Sequence, residues 1–381
     1  MITFINTTLH TPTPPIPDAV LIIDGPHLHA LGPATTTPIP PNSTIIDAHG
    51  HHLGPGFIDL QLNGAFGHDF TQNPETIWSV AAQLPQYGVT SFLPTIITSP
   101  PATIPAAQKV WQNGPPHPTW RGATPLGLHL EGPVLNPAKK GAHDPAFIRL
   151  PHHIDSHTWS RDHGIYLVTL APEQPDALAW AQTLRHQQIV ISAGHTAADY
   201  DTAWHAFDQQ ISSVTHLFNA MPPLHHRQPA LTLAALHHPH TYLGLIADGI
   251  HVHPHMINLA WQLAANRIYL VTDGMAALGM PPGHYHLSNR HVIVTPHAPR
   301  LPDGTLAGSI LSLDTALRNL INYTNCTLTQ AWRAATLVPA QLLNLHPTYG
   351  QLRPGALANL VLLDEQFHVT QTWLHGQRLY P

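Results

Sequence analysis

The sequence predicts an α/β protein: a (β/α)8 TIM-like barrel joined to a small β-sandwich domain formed by the N- and C-terminal segments. Three observations predict it. Eight short runs rich in Val, Ile and Leu recur through the middle of the chain, each ending in a polar or glycine-containing turn. The runs are continuously apolar rather than alternating, as strands buried on both faces of a parallel sheet are. Amphipathic stretches separate most of them, and eight such units in about 250 residues suit a closed barrel.

Taken in order, the first residues read as strands at 2–9, 19–24 and 43–47, broken by proline and glycine. The eight barrel runs follow at 56–62, 88–96, 126–130, 165–170, 189–192, 213–217, 242–247 and 267–271. Helical spacing lies between them, as in Ala177-Leu178-Ala179-Trp180-Ala181 with Leu184, and in Ile257, Leu259, Ala260 and Leu263. Residues 285–306 read as a β-hairpin inserted after the eighth strand, with Asp303-Gly304 as its turn signal. Helical pattern resumes at 310–321 and 328–343, and strands close the chain at 358–364 and 367–374. Neither end could bury a core alone. The expected division is 1–53 and 346–381 as the two parts of the small domain, with 54–345 as the barrel.

Composition removes several classes. Only 9% of the 381 residues are charged, against a usual ~25%. Lys+Arg 15 against Asp+Glu 21 leaves a net charge of −6, and no basic stripe exists to bind nucleic acid. The opening Met1-Ile2-Thr3-Phe4-Ile5-Asn6 has no secretory pattern, and no apolar run reaches the ~18–20 residues a bilayer needs. One cysteine, Cys326, cannot pair internally, which fits a reducing interior. The expectation is a cytoplasmic protein with no membrane partner.

In such barrels chemistry sits at the C-terminal ends of the strands. Strand three ends in His129-Leu130-Glu131-Gly132, strand five in Ala193-Gly194-His195-Thr196 and strand six in Thr215-His216-Leu217-Phe218-Asn219. Glu131, His195 and His216 can therefore point into one mouth. Two imidazoles and a carboxylate with an open position form the ligand set of a hydrolytic metal site. Asp273, ending strand eight, lies across the ring, where a carboxylate can take a proton from activated water and pass it to a leaving amine. Among 33 histidines most are surface residues. The pairs His51-His52, His225-His226 and His237-His238 are decoys of that kind, and His253 and His255 read as surface positions. Glu173 and Asp248 read as either supports of the site or structural carboxylates. From the residues alone, Arg227 after strand six is the best anion donor, against the alternative of a solvated loop cation.

At this point the residues carry a family resemblance. Leu53-Gly54-Pro55-Gly56-Phe57-Ile58-Asp59 resembles the first-strand signature of the amidohydrolase superfamily. Many members continue with a His-x-His pair that holds a second metal, where this chain has Gln61 and Asn63. Together with 128–133, 193–196, 215–221 and Thr272-Asp273-Gly274, that replacement resembles the N-acetylglucosamine-6-phosphate deacetylases within the superfamily. The likeness runs to Ala358-Asn359-Leu360-Val361-Leu362-Leu363-Asp364.

The resemblance implies hydrolysis of the acetamide of N-acetyl-D-glucosamine 6-phosphate, in amino-sugar catabolism and recycling. Amides are poor ligands for a hard ion, so Gln61 and Asn63 favour a single divalent metal, zinc or ferrous iron. None of Lys109, Lys139 and Lys140 ends a strand, so no carboxylated lysine can bridge two ions. Positions matching Asn219, Ala220, Arg227 and His251 are implied to hold the sugar phosphate, and those matching Ala142, Ala307, Gly308 and Ser309 to line the sugar. The arginine matching Arg227 can come from a neighbouring subunit, which implies a homodimer. His143, just beyond Glu131, is placed either to polarise the acetyl carbonyl or as a plain loop residue. Two rivals stand beside this reading: a deacetylase of N-acetylgalactosamine 6-phosphate or another N-acyl sugar phosphate, and a non-catalytic histidine-rich metal-binding protein.

Overall fold

Eight parallel strands form the barrel, and their burial explains their composition. They are Phe57–Leu62, Val89–Ile97, Leu128–Glu131, Ile165–Leu170, Val190–Ala193, Ser213–Val214, Tyr242–Leu245 and Ile268–Leu270, in the computed structural model, which describes residues 1–12, 14–346 and 348–381. Each strand pairs in parallel with the next. The ring closes where the first strand meets the segment after the eighth: Asp273 N–H donates to the Gln61 carbonyl (2.8 Å) and Asn63 N–H to the Gly274 carbonyl (2.8 Å). Both faces are covered, so every residue of Phe57–Leu62 and of Val89–Ile97 is buried.

The strands are shorter at several C-terminal ends than apolar character suggests. The sixth stops at Val214, because the chain turns out of the sheet at His216 with φ +30°. The expected helix 328–343 is two helices, Leu328–Ala335 and Leu337–Leu342, broken at Thr336 (φ −140°). Pro339 explains the break: its ring would clash with the carbonyl four residues earlier, at Ala335. The insert after the eighth strand is larger than one hairpin. Gly283–Leu287 and Arg290–Val294 pair around a turn at Ser288 (φ +50°), and Pro299–Arg300 adds a third strand. Asp303-Gly304 makes a second, smaller turn that brings Arg300 to Leu306. Leu287, Val292, Val294 and Leu301 pack on Ile97, Ala142 and Met275, so the insert seals one side of the barrel mouth.

Both chain ends share one eight-stranded sheet. Ile2–Leu9 pairs with Ile16–Asp24 on one edge and forks on the other, to Thr44–Asp47 along its first half and His52–Pro55 along its second. The C-terminal strands Leu360–Leu363, Val369–Leu374 and Gln377–Tyr380 attach through His52–Pro55. Phe4, Leu9, Leu21, Leu53, Leu360 and Trp373 make its core, drawn from both ends of the chain. Strands His27–Pro33, His52–Pro55 and Gln377–Tyr380 have too much His, Gly, Pro and Gln to be read locally. Their neighbours supply the pairing.

A histidine pair staples this domain to the barrel. His10 Nε2 meets His52 Nδ1 at 3.0 Å, its Nδ1 meets Thr329 Oγ1 at 2.8 Å, and its ring stacks on Trp332 at 4.9 Å. Burial, then the charge of His52, pushes His10 down to about 4, and burial pushes His129, inside the barrel, to about 4. Both stay neutral when folded but accept protons readily when unfolded. The stability these two groups contribute is therefore fully present above pH 6.5 and is lost as pH falls toward 4, with a limiting slope of about 1.4 kcal/mol per pH unit for each group. Through that window the wild type is expected to lose melting temperature relative to His10→Asn. A difference between the two proteins that does not change with pH would rule the staple out as a contributor.

Candidate active site

Glu131 ends the third strand, His195 follows the fifth, His216 follows the sixth and Asp273 follows the eighth. All four are buried. His195, His216 and Asp273 have φ of +48°, +30° and +49°, in the left-handed region that non-glycine residues avoid. Each such residue costs on the order of 1–3 kcal/mol, tolerated where surrounding packing over-determines it. The bend at each strand end turns the side chain from the sheet into the barrel mouth.

The three donors converge. His195 Nε2 lies 3.1 Å and His216 Nε2 2.9 Å from Glu131 Oε1, and the two Nε2 atoms are 3.1 Å apart. Ligands at 2.0–2.1 Å around a tetrahedral ion are separated by about 3.3 Å, so this triangle fits one divalent cation. It is the one group of three His, Cys, Asp or Glu donors so arranged among the described residues. His195 Nδ1 donates to the Lys139 carbonyl (2.8 Å), which leaves the Nε2 lone pair facing the triangle. Burial works to raise the Glu131 carboxyl, but its bonds to His195 and His216 outweigh that and hold it well below the carboxylate range. For His216 burial works downward, and the bond and charge of Glu131 raise it.

Asp273 stands opposite. Asn63 Nδ2 (2.8 Å) and Gln61 Nε2 (3.1 Å) both donate to its Oδ1, and Gln61 Nε2 also reaches Glu131 Oε1 (3.1 Å). Two amides thus fix the carboxylate and leave Oδ2 to take a proton. Burial, and next the charge of Glu131, push Asp273 up to about 6. His143 is buried beside His195, ring centroids 4.4 Å apart, with Nε2 3.7 Å from Glu131 Oε2. Its Nδ1 accepts the Thr98 N–H (3.3 Å), so Nε2 carries the proton. Burial, and next the charge of His195, push it down to about 3, which keeps it a neutral donor.

These groups line a cavity of about 280 Å³. Three roomier hollows, of about 500, 580 and 700 Å³, contain none of them, so volume does not mark the site. Asn219, Ala220, Ala142, Gly308 and His251 also line the cavity. His251 is held there by Asp248, whose Oδ2 meets its Nδ1 at 2.6 Å. Glu173 accepts from Asn136 Nδ2, Thr196 Oγ1 and Ala197 N–H, bracing the loop that carries His195. Ala307 and Ser309 are buried beside the cavity rather than on its wall, and Ser309 Oγ donates to the Thr272 carbonyl (2.6 Å). Arg227 is exposed on its loop and does not line the cavity of its own chain. His253 and His255 are exposed. The sequence reading missed Lys139, the one Lys or Arg lining the cavity among the described residues, and Leu287, Thr305 and Leu306, which the insert brings in. The Lys139-Lys140-Gly141 stretch beside His143 was the available signal for the first.

Residues 53–379 match the model of the amidohydrolase family. The chain belongs to the amidohydrolase family. It is 38% identical over 353 residues to an N-acetylglucosamine-6-phosphate deacetylase of Danio rerio, covering 88% of this chain and 86% of that protein. It is equally identical, 38% over 352 residues, to an N-acetylgalactosamine-6-phosphate deacetylase of Escherichia coli O157:H7, covering 90% and 91%. The structure of N-acetylglucosamine-6-phosphate deacetylase from Pasteurella multocida superposes with a TM-score of 0.92 at 30% identity over 99% of both chains. A mutant of the Mycobacterium smegmatis enzyme in complex with N-acetyl-D-glucosamine-6-phosphate superposes at 0.89, with 29% identity over 100% of this chain and 99% of that one.

Proposed function

We propose that the protein is a metal-dependent deacetylase that hydrolyses N-acetyl-D-glucosamine 6-phosphate to D-glucosamine 6-phosphate and acetate, in amino-sugar catabolism and recycling. The observation that carries this reading is the convergence of Glu131, His195 and His216 opposite Asp273. Glu131, His195 and His216 would hold one divalent ion, zinc or ferrous iron. The amides of Gln61 and Asn63 bond Asp273 instead of offering a second ion imidazoles. The bound ion supplies Lewis acidity, polarising the acetyl carbonyl and making water nucleophilic near neutral pH.

Asp273 Oδ2 takes a proton from the attacking water, and a C–O bond forms at the acetyl carbon. It returns the proton to the amine nitrogen as the C–N bond breaks. A carboxyl near 6 suits both steps. His143 Nε2–H donates to the carbonyl oxygen as its negative charge grows. Asn219, Ala220, His251 and Lys139 receive the sugar phosphate, and Ala142 and Gly308, with Ala307 and Ser309 behind, shape the sugar's place. Arg227 completes the phosphate site from a second copy of the chain in a homodimer, consistent with its exposure outside its own cavity. A cytoplasmic setting fits the lone Cys326. No helix of the described residues is long and apolar enough to cross a membrane.

The test is acetate release from both epimers of the substrate. The kcat/KM is expected to favour the gluco epimer by at least roughly tenfold, the worth of one hydroxyl contact. A preference for the galacto epimer would transfer the assignment to N-acetylgalactosamine 6-phosphate. Release from neither would end the deacetylase reading.

A further inference from the structure

Asp59 is buried in the first barrel strand, 1% exposed, and no step above uses it. Its partners are uncharged. Thr272 Oγ1–H donates to Oδ2 (2.5 Å), and the N–H groups of Thr272 and Gln61 both donate to Oδ1 (3.2 Å each). Burying a carboxylate without a cation is costly, and an apolar side chain would fill the space with less desolvation. What the carboxylate does that an apolar group cannot is accept three donors from two strands at once.

Those donors surround the residue assigned as base. Asp273 follows Thr272 directly. Gly274, on its other side, donates its N–H to Thr272 Oγ1 (3.1 Å), so the threonine hydroxyl that is fixed by Asp59 brackets Asp273 from both sides. The Asp273 N–H is tied to the Gln61 carbonyl (2.8 Å), and its carbonyl accepts the Ser309 N–H (2.8 Å). Asp273 is held in this clamp with φ +49°. Gln61, whose backbone Asp59 also holds, is the residue whose side-chain amide bonds Asp273 Oδ1. One buried carboxylate therefore fixes both the base and the amide that aims it.

We propose that Asp59, acting through the Thr272 hydroxyl, is a positioning residue for Asp273, which sets the proton-accepting carboxylate against the metal-donor triangle. The proposal rests on the reading of Asp273 as base. Asp59→Asn keeps volume but turns an NH2 toward Thr272 Oγ1, and Thr272→Val keeps shape but removes the hydroxyl.

The experiment measures kcat and KM for acetate release, metal content and melting temperature in both variants, in Thr272→Ser, in the double variant and in Asp273→Asn. Each single variant is expected to lose about thirtyfold in kcat, as displacement of a catalytic group does. KM should stay within roughly threefold, with one metal retained. Thr272→Ser should keep kcat within roughly threefold. The double variant should be no worse than the weaker single by more than that, because both cut one link. Where Asp59→Asn does not fold, Thr272→Val decides alone. Lowered melting temperature with unchanged kcat in the singles would make the clamp merely structural and overturn the proposal. Multiplying losses in the double variant would overturn the shared link. Near-normal turnover in Asp273→Asn would show instead that the base assignment had failed, and the proposal with it.

Discussion

Asp273→Asn is expected to lower kcat for acetate release by roughly 10³ to 10⁴, the range of a lost general acid–base. The variant should retain its metal and its substrate affinity. Asparagine has the same shape, and its carbonyl oxygen can keep the bonds from Gln61 and Asn63 on Oδ1. Only Oδ2 changes, from an atom that takes a proton to one that cannot. The pH profile supplies a second readout. Burial and the nearby Glu131 raise the Asp273 carboxyl to about 6, and the active form is the ionised one. Wild-type kcat/KM should thus fall on the acid side as the Asp273 carboxyl takes up a proton and rise as it ionises. In the variant that limb should vanish. Near-normal turnover, or an unchanged acid limb, would remove Asp273 from the proton path.

His216→Ala is expected to cost both metal and activity. Three donor atoms at 2.9–3.1 Å from one another are placed to hold an ion jointly. Without the imidazole, Glu131 loses the partner that helps hold its carboxyl low, and the triangle becomes a weak bidentate site. Acetate release should fall by at least roughly 10³, since Lewis-acid activation goes with the ion. Replacing His284 gives the contrast. Its ring is exposed and rests against His291, 3.1 Å between nitrogens, on the inserted strands. His284→Ala should leave tightly held metal and turnover unchanged. Equal losses in both variants would favour a histidine-rich binder with scattered ions.

The barrel was legible because its strands are buried on both faces and so read as unbroken apolar runs. The candidate donor triangle was legible because Glu131, His195 and His216 each end such a run. Their backbone reversals were not, since a positive φ at a histidine is imposed by the fold and not by the residue. Leu306 escaped because the insert after the eighth strand carries it to the cavity, and Lys139 because the loop after Glu131 gives no sign in the sequence of which of its two lysines faces inward. Ser309 was expected to line the sugar, but its hydroxyl is used by the Thr272 carbonyl behind Asp273. His52 looked like a surface pair with His51, yet it packs between the two domains against His10, which composition among 33 histidines could not single out.

The measurement that bears most directly on the site is metal content and acetate release on the same samples, before and after strong chelation and again after a divalent ion is restored. The expected result is one tightly held ion per chain in the wild-type protein, lost together with hydrolysis of N-acetyl-D-glucosamine 6-phosphate and regained with it. Hydrolysis that persists after the last ion is gone, or several loosely bound ions with activity tied to none, would contradict a single catalytic ion on Glu131, His195 and His216.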